Sequence, residues 1–179
     1  MLFTIVVISV LVAIDQLTKY WATLALAPNG SAPFLPGIME LRYVLNDGAA
    51  FSILGGKEWG RIFLIIFTSA AMLAILFLLF FRRSSMNRLC YAALLLIEAG
   101  GIGNLIDRIL NGYVVDFFAT TFIDFAIFNV ADCFISVGFA LLILYYILEE
   151  WKNHKSKSEK ENSFTEKEAG GGAGTDDGK

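Results

Sequence analysis

The chain has 179 residues, 56% of them hydrophobic, with 14 basic and 17 acidic side chains and a net charge of −3. A mean hydropathy of +0.64 that already includes a polar stretch from Lys152 onward excludes an ordinary soluble domain. No basic patch interleaved with aromatics is present, which argues against nucleic acid, and two cysteines with one histidine (His154) make neither a disulfide framework nor a metal site.

A helix needs about 20 apolar residues to cross a bilayer. Four segments reach that length, residues 2–22, 60–81, 89–110 and 129–151. The expected fold is an all-α membrane protein, four transmembrane helices with a small extracytoplasmic β-sheet between spans one and two. Residues 1–151 would form one membrane domain, followed by a disordered polar cytoplasmic tail over 152–179. Three arginines (82, 83, 88) fill the turn between spans two and three and six lysines follow span four, against five basic residues on the opposite side. The positive-inside rule then puts both termini in the cytoplasm, with Trp21 and Trp59 at the outer interface and Trp151 at the inner one.

Span one competes with a signal-peptide reading in which Ala25-Leu26-Ala27 is a cleavage site. No basic residue precedes its apolar run, and Asp15 and Lys19 interrupt the region between that run and the candidate site, which favours a retained span. Asp15 and Lys19 lie four apart on one helix face and are expected to pair near the outer end while Lys19 snorkels outward. The three prolines (28, 33, 36) break the helix beyond. Met39 to Leu45 alternates as a strand, Asn46-Asp47-Gly48 reads as a turn, and Ala49 to Leu54 as a returning strand.

In span three, Glu98 sits mid-membrane and points away from the polar residues that follow it. Those residues, Asn104, Asp107 and Arg108, share one face after Gly100, Gly101 and Gly103, a tightly packed polar surface. An Asp107–Arg108 pair is expected to orient the site rather than react. Asn111-Gly112 stops the helix, and Tyr113 to Phe118 reads as extended, carrying Asp116. Asp124 sits among loop aromatics, far from any other polar motif. Asn129 is placed to cap span four with Asp132 three residues on, a relative of the capping box. Cys90 and Cys133 read as core residues.

Asp116 and Asp132 remain as two carboxylates at the outer ends of spans, the minimum set for acid/base hydrolysis of an amide. One would deprotonate water while the other, protonated, polarises the scissile carbonyl; which takes which role is open. A small proton-coupled transporter also uses intramembrane acids, but it needs polar groups at mid-membrane and on the inner side, and a non-catalytic scaffold would not depend on both aspartates.

Five segments, taken in order, resemble the lipoprotein signal peptidase family, the bacterial signal peptidase II. They are Asp15-Gln16-Leu17-Thr18-Lys19, Asn46 to Ser52, Gly100 to Arg108, Val114-Val115-Asp116-Phe117, and Phe128-Asn129-Val130-Ala131-Asp132. The resemblance covers about residues 1–150; the polar tail and Glu98 fall outside the family pattern. It implies an aspartic endopeptidase of the bacterial cytoplasmic membrane, working near the outer face without cofactor or metal. Its substrates would be diacylglyceryl-modified prolipoproteins, cut just before the lipidated cysteine and presented from membrane lipid. By the same resemblance Asp116 and Asp132 form the catalytic dyad. Asp15, Lys19, Asn46, Gly48, Asn104, Asp107, Arg108, Asn129 and Ala131 bind substrate or support the site, with Asp107 included here for its place on the polar face of span three. The antibiotic globomycin inhibits this family by occupying that site.

Overall fold

The structure, a computed structural model, describes residues 1–48 and 58–170, with side chains described to Lys157. It comprises two compact units, Met1–Leu142 and Ile143–Lys179. The elements in chain order are α1 (Leu2–Leu26), β1 (Ser31–Leu35), β2 (Met39–Asn46), α2 (Glu58–Phe81), a 3-10 turn at Arg83–Ser85, α3 (Arg88–Leu110), β3 (Val114–Thr120) and α4 (Val130–Gly170). Four of these are helices long and apolar enough to cross a membrane, α4 over Val130–Lys157. Large apolar side chains such as Phe3, Leu17, Ile66, Phe67 and Leu73 lie on outward faces, as a lipid solvent permits.

The helix ends follow local chemistry. Asn87 caps α3, its side chain accepting the Cys90 N–H at 2.8 Å. The α3 helix ends at Asn111, ahead of Gly112 at φ +83°, a left-handed conformation that glycine adopts without strain. Helix α3 is the most buried of the four candidate spans. At one end of the helices an apolar cluster joins Ile8, Leu79, Tyr91, Leu94, Leu95 and Ala99. A second cluster joins Ala22 and Leu26 of α1 to Leu41, Val115 and Phe117 of the sheet.

The sheet differs from expectation. It has three strands in the order β1-β2-β3, both pairs antiparallel, and β3 comes from between α3 and α4 rather than from between spans one and two. Residues 31–35, expected only as helix-breaking, form edge strand β1, where the missing N–H of Pro33 is tolerated. Pro36 and Gly37 (φ +75°) make the turn into β2, with the Ile38 N–H donating to the Leu35 carbonyl at 3.0 Å. The returning strand expected over 49–54 lies outside the described residues.

Helix α4 runs on through residues 152–170 of the polar stretch. Lys and Glu dominate this stretch and are good helix formers, so a helix already started propagates through them.

Candidate active site

Five elements bring the polar residues together between the two apolar clusters. Asp15 and Lys19 come from α1, Asn104, Asp107 and Arg108 from α3, Asp116 from β3, and Asn129, Ala131 and Asp132 from the start of α4. Asn46 and Gly48 arrive at the end of β2. Close approach of the helices is required for this. A Cβ on Gly103 would collide with the Asp15 carboxylate, and one on Gly100 with the Ala131 carbonyl oxygen.

Asp116 and Asp132 are linked through asparagines. Asn129 Nδ2 donates to Asp116 Oδ1 at 2.7 Å, and the Asn129 backbone N–H to Asp132 Oδ2 at 3.0 Å. Asn46 Nδ2 donates to Asp116 Oδ2 at 3.0 Å, and Asn104 Nδ2 to Asp132 Oδ1 at 2.8 Å. The Asp132 N–H returns to Asn129 Oδ1 at 3.0 Å, so the expected capping box is present with both of its reciprocal bonds. One asparagine thus starts α4 and holds both carboxylates. Asp116 is only 2% exposed. Burial pushes its carboxyl up from 3.8 to about 6, opposed by the Asn46 hydrogen bond, with the negative charge of Asp132 adding to the rise.

Behind the two carboxylates Lys19 forms ion pairs with Asp15 at 2.8 Å and with Asp107 at 3.0 Å, all three side chains at most 4% exposed. The expected Asp15–Lys19 pair is present, but Lys19 turns inward rather than snorkelling, because two acids and an amide oxygen satisfy its ammonium group inside. The expected Asp107–Arg108 ion pair is absent among the described residues; Lys19 takes Asp107 instead. Arg108 Nη2 donates to the Gly48 carbonyl at 3.0 Å and Nη1 to that of Asn104 at 3.3 Å. The Gly48 N–H donates to Asn46 Oδ1 at 3.0 Å, so Arg108 anchors the turn that aims Asn46 at Asp116.

A cavity of about 530 Å³ opens on this arrangement. Asn46, Asn104, Arg108, Asp116 and Asp132 form its polar wall, and Phe125 to Phe128 with Ile135 and Val137 its apolar one. Cys133, read from sequence as core, is half-buried and lines the cavity with Ser136. Cys90 is half-buried as well. Asp124 and Glu98 are not in the cavity wall. Glu98 is fully buried with neither carboxyl oxygen partnered.

Sequence reasoning did not single out Gln16, whose Nε2 donates to Asp107 Oδ1 at 3.0 Å and to the Gly103 carbonyl at 3.2 Å. Its polar side chain beside Asp15 inside an apolar span was the available signal. The loop wall from Phe125 to Phe128 carried no signal, since aromatics are ordinary at a membrane interface.

Residues 7–148 match the family model described as signal peptidase (SPase) II. Lipoprotein signal peptidases of Streptococcus pyogenes serotypes M5 and M18 are each 45% identical over 140 residues, covering 78% of this chain and 90% of theirs. Two solved structures described as a bacterial membrane enzyme, determined by the in meso method, superpose with TM-scores of 0.73 and 0.71. The first is 33% identical, with 83% of this chain and 89% of that one covered; the second is 31% identical, with 80% and 92% covered.

Proposed function

The chain belongs to the signal peptidase II family and removes signal peptides from prolipoproteins as a multi-pass membrane protein, and from that premise we propose that it works as an aspartic endopeptidase with Asp116 and Asp132 as its dyad. The observation that carries this reading is the placement of both carboxylates in one cavity wall, each holding two donated hydrogen bonds and sharing Asn129. Two acids so placed resist being ionised together, so one retains a proton. Asp116, the more buried, is the natural holder. Asp132 then takes a proton from water, and the hydroxide attacks the scissile carbonyl carbon while the Asp116 proton meets the carbonyl oxygen. As the tetrahedral intermediate collapses, the carbon–nitrogen bond breaks, the leaving amine takes the proton held by Asp132, and one hydroxyl of the new carboxyl returns its proton to Asp116. No step calls for a metal.

The supporting residues take the roles their contacts allow. Arg108 and Gly48 hold the Asn46 turn, Asn104 and Asn129 orient the carboxylates, and Asp15 binds the Ala131 N–H at 2.9 Å at the start of α4. The cavity's apolar wall suits a substrate that keeps acyl chains in lipid, with the cut just before a diacylglyceryl-modified cysteine. Globomycin would compete for the same cavity. The site lies near the outer face of the bacterial cytoplasmic membrane, both termini on the cytoplasmic side, and residues 1–151 make up the peptidase domain. The comparisons do not favour a transporter.

The test is a gel-shift cleavage assay in liposomes with a diacylglyceryl-modified prolipoprotein. Asp116→Asn and Asp132→Asn are each expected to abolish cleavage while remaining inserted and folded. Near-normal turnover by either variant would overturn the dyad.

A further inference from the structure

We propose that Lys19 is a positioning residue for this reaction: one ammonium group holds three acceptors that reach Asp132 itself and the residue immediately before each catalytic aspartate. This rests on the dyad reading above and deepens it. The three acceptors are Asp15 Oδ2 at 2.8 Å, Asp107 Oδ2 at 3.0 Å and Asn104 Oδ1 at 2.9 Å. An ammonium has three N–H donors and no acceptor, so Lys19 is fully engaged and cannot itself touch substrate.

Each acceptor passes the constraint on. The other oxygen of Asp15 accepts the Ala131 N–H at 2.9 Å, and Ala131 precedes Asp132. Asp107 Oδ2 accepts the Val115 N–H at a longer 3.4 Å, and Val115 precedes Asp116. Asn104 donates its amide N–H directly to Asp132 at 2.8 Å. Lys19 therefore ties the start of α4 and the middle of β3 to one point on α1, which fixes the spacing of the two carboxylates.

It also fixes a direction. An asparagine amide can be turned over to exchange its oxygen and nitrogen. Lys19 admits only the oxygen of Asn104, and Asn129 Nδ2 donates to that same oxygen at 3.1 Å. The nitrogen must then face Asp132, where it favours the carboxylate that takes the proton from water. Turned the other way, the amide oxygen would oppose a carboxylate. A lysine suits this post better than an arginine, whose planar fork matches one carboxylate well but cannot point donors at three acceptors around a point.

An ion pair that merely ties α1 to α3 would make the same first contacts, so the test must read chemistry as well as folding. Lys19→Met strands two buried carboxylates and endangers the fold. The double variant Lys19→Met/Asp107→Asn removes one charge of each sign and keeps the net charge of the Asp15, Lys19 and Asp107 group. In liposomes with diacylglyceryl-modified prolipoprotein, this variant is expected to lose about 100-fold in kcat with KM changed less than about threefold. The basic limb of its kcat profile should move to higher pH, because the Lys19 charge that draws the Asp116 carboxyl down is gone and the acid keeps its proton further up the scale. Asn104→Asp, which keeps the acceptor for Lys19 but faces Asp132 with an acceptor instead of a donor, should show the same loss in kcat. Either variant holding kcat within about fivefold of wild type, or the double variant losing activity only in step with its thermal midpoint and with an unmoved pH profile, would overturn the positioning role. Asp116→Asn and Asp132→Asn run beside them. If those two are inactive the dyad stands whatever Lys19 does; if they turn over, the dyad has failed first.

Discussion

Asp116 pays for its post in a strand that leaves it 2% exposed, with a carboxyl held at about 6 against an ordinary 3.8. Between those two values the folded chain binds a proton that the unfolded chain has released, so this group's contribution is present below 3.8 and is lost as pH rises through about 6. A shift of that size corresponds to on the order of 3 kcal/mol. Asp116→Asn cannot ionise, so relative to wild type its thermal midpoint in detergent should rise as pH is taken from 4 to 7, even though its amide faces the Asn46 nitrogen and forfeits about 1 kcal/mol of hydrogen bonding. A wild-type-minus-variant difference that stays flat with pH would refute the burial argument. Gly48 makes a second case. It is buried between Asn46 and Arg108 and bonded to both. Gly48→Val should lower kcat/KM by about tenfold or more while moving the thermal midpoint little, and an equal loss of both would make Gly48 a structural turn only. At this scale the sequence was legible where spacing sufficed. Asp15 and Lys19 four apart, and Asn129 with Asp132 three apart, each gave a contact that the structure contains. That Lys19 turns inward to Asp107 and Asn104 was not legible, because its partners lie more than 80 positions away.

The elements carry a different lesson, since α1, α2, α3 and the start of α4 were legible to within a few residues from apolar length alone, whereas β1 was not, and β3 was legible as an extended segment but not as a strand of this sheet. β2 alternates and announces itself. β1 contains Pro33 and β3 is nearly all apolar, so neither shows the period-two pattern of a half-buried strand. β3 is covered on both faces, by the α1 cluster on one side and the site on the other, and this is why five of its seven residues are buried. Helix packing sets the position of Asp132. Gly100 lies against the first turn of α4, where an added methyl would collide with the Ala131 carbonyl and come within 2.7 Å of Ile135 Cγ1. Gly100→Ala is expected to cost about 1–3 kcal/mol in stability. It should also lower kcat by about 100-fold, since an ångström of displacement in a reacting group is enough for that. Gly37→Ala is the control. It strains a turn at φ +75° with open space around it, so it should cost about 1 kcal/mol and leave kcat unchanged. Should both variants lose activity in proportion to stability alone, the link from Gly100 to Asp132 would be wrong.

For the molecule as a whole, chemistry and packing occupy separate layers. The apolar cluster around Tyr91 and Leu94 and the one around Ala22 and Phe117 share α1 and flank the residues from Asp15 to Lys19, so water-soluble polar groups are gathered into one band of the first unit. Every residue of that band lies before position 138, and the cavity wall ends at Val137. The family match ends at residue 148, ahead of the Lys- and Glu-rich stretch that continues α4. The described lining of the cavity comes wholly from the first unit. A chain ended after Lys157 keeps the apolar span and the first three of its following lysines, which the positive-inside rule uses for orientation. It should therefore insert normally and cleave with kcat/KM within about twofold of the full chain, the scale of an ordinary surface change. A tenfold fall with insertion intact would mean, at about 1.4 kcal/mol, that residues 158–179 help to bring substrate to the site, and the peptidase could no longer be confined to residues 1–151.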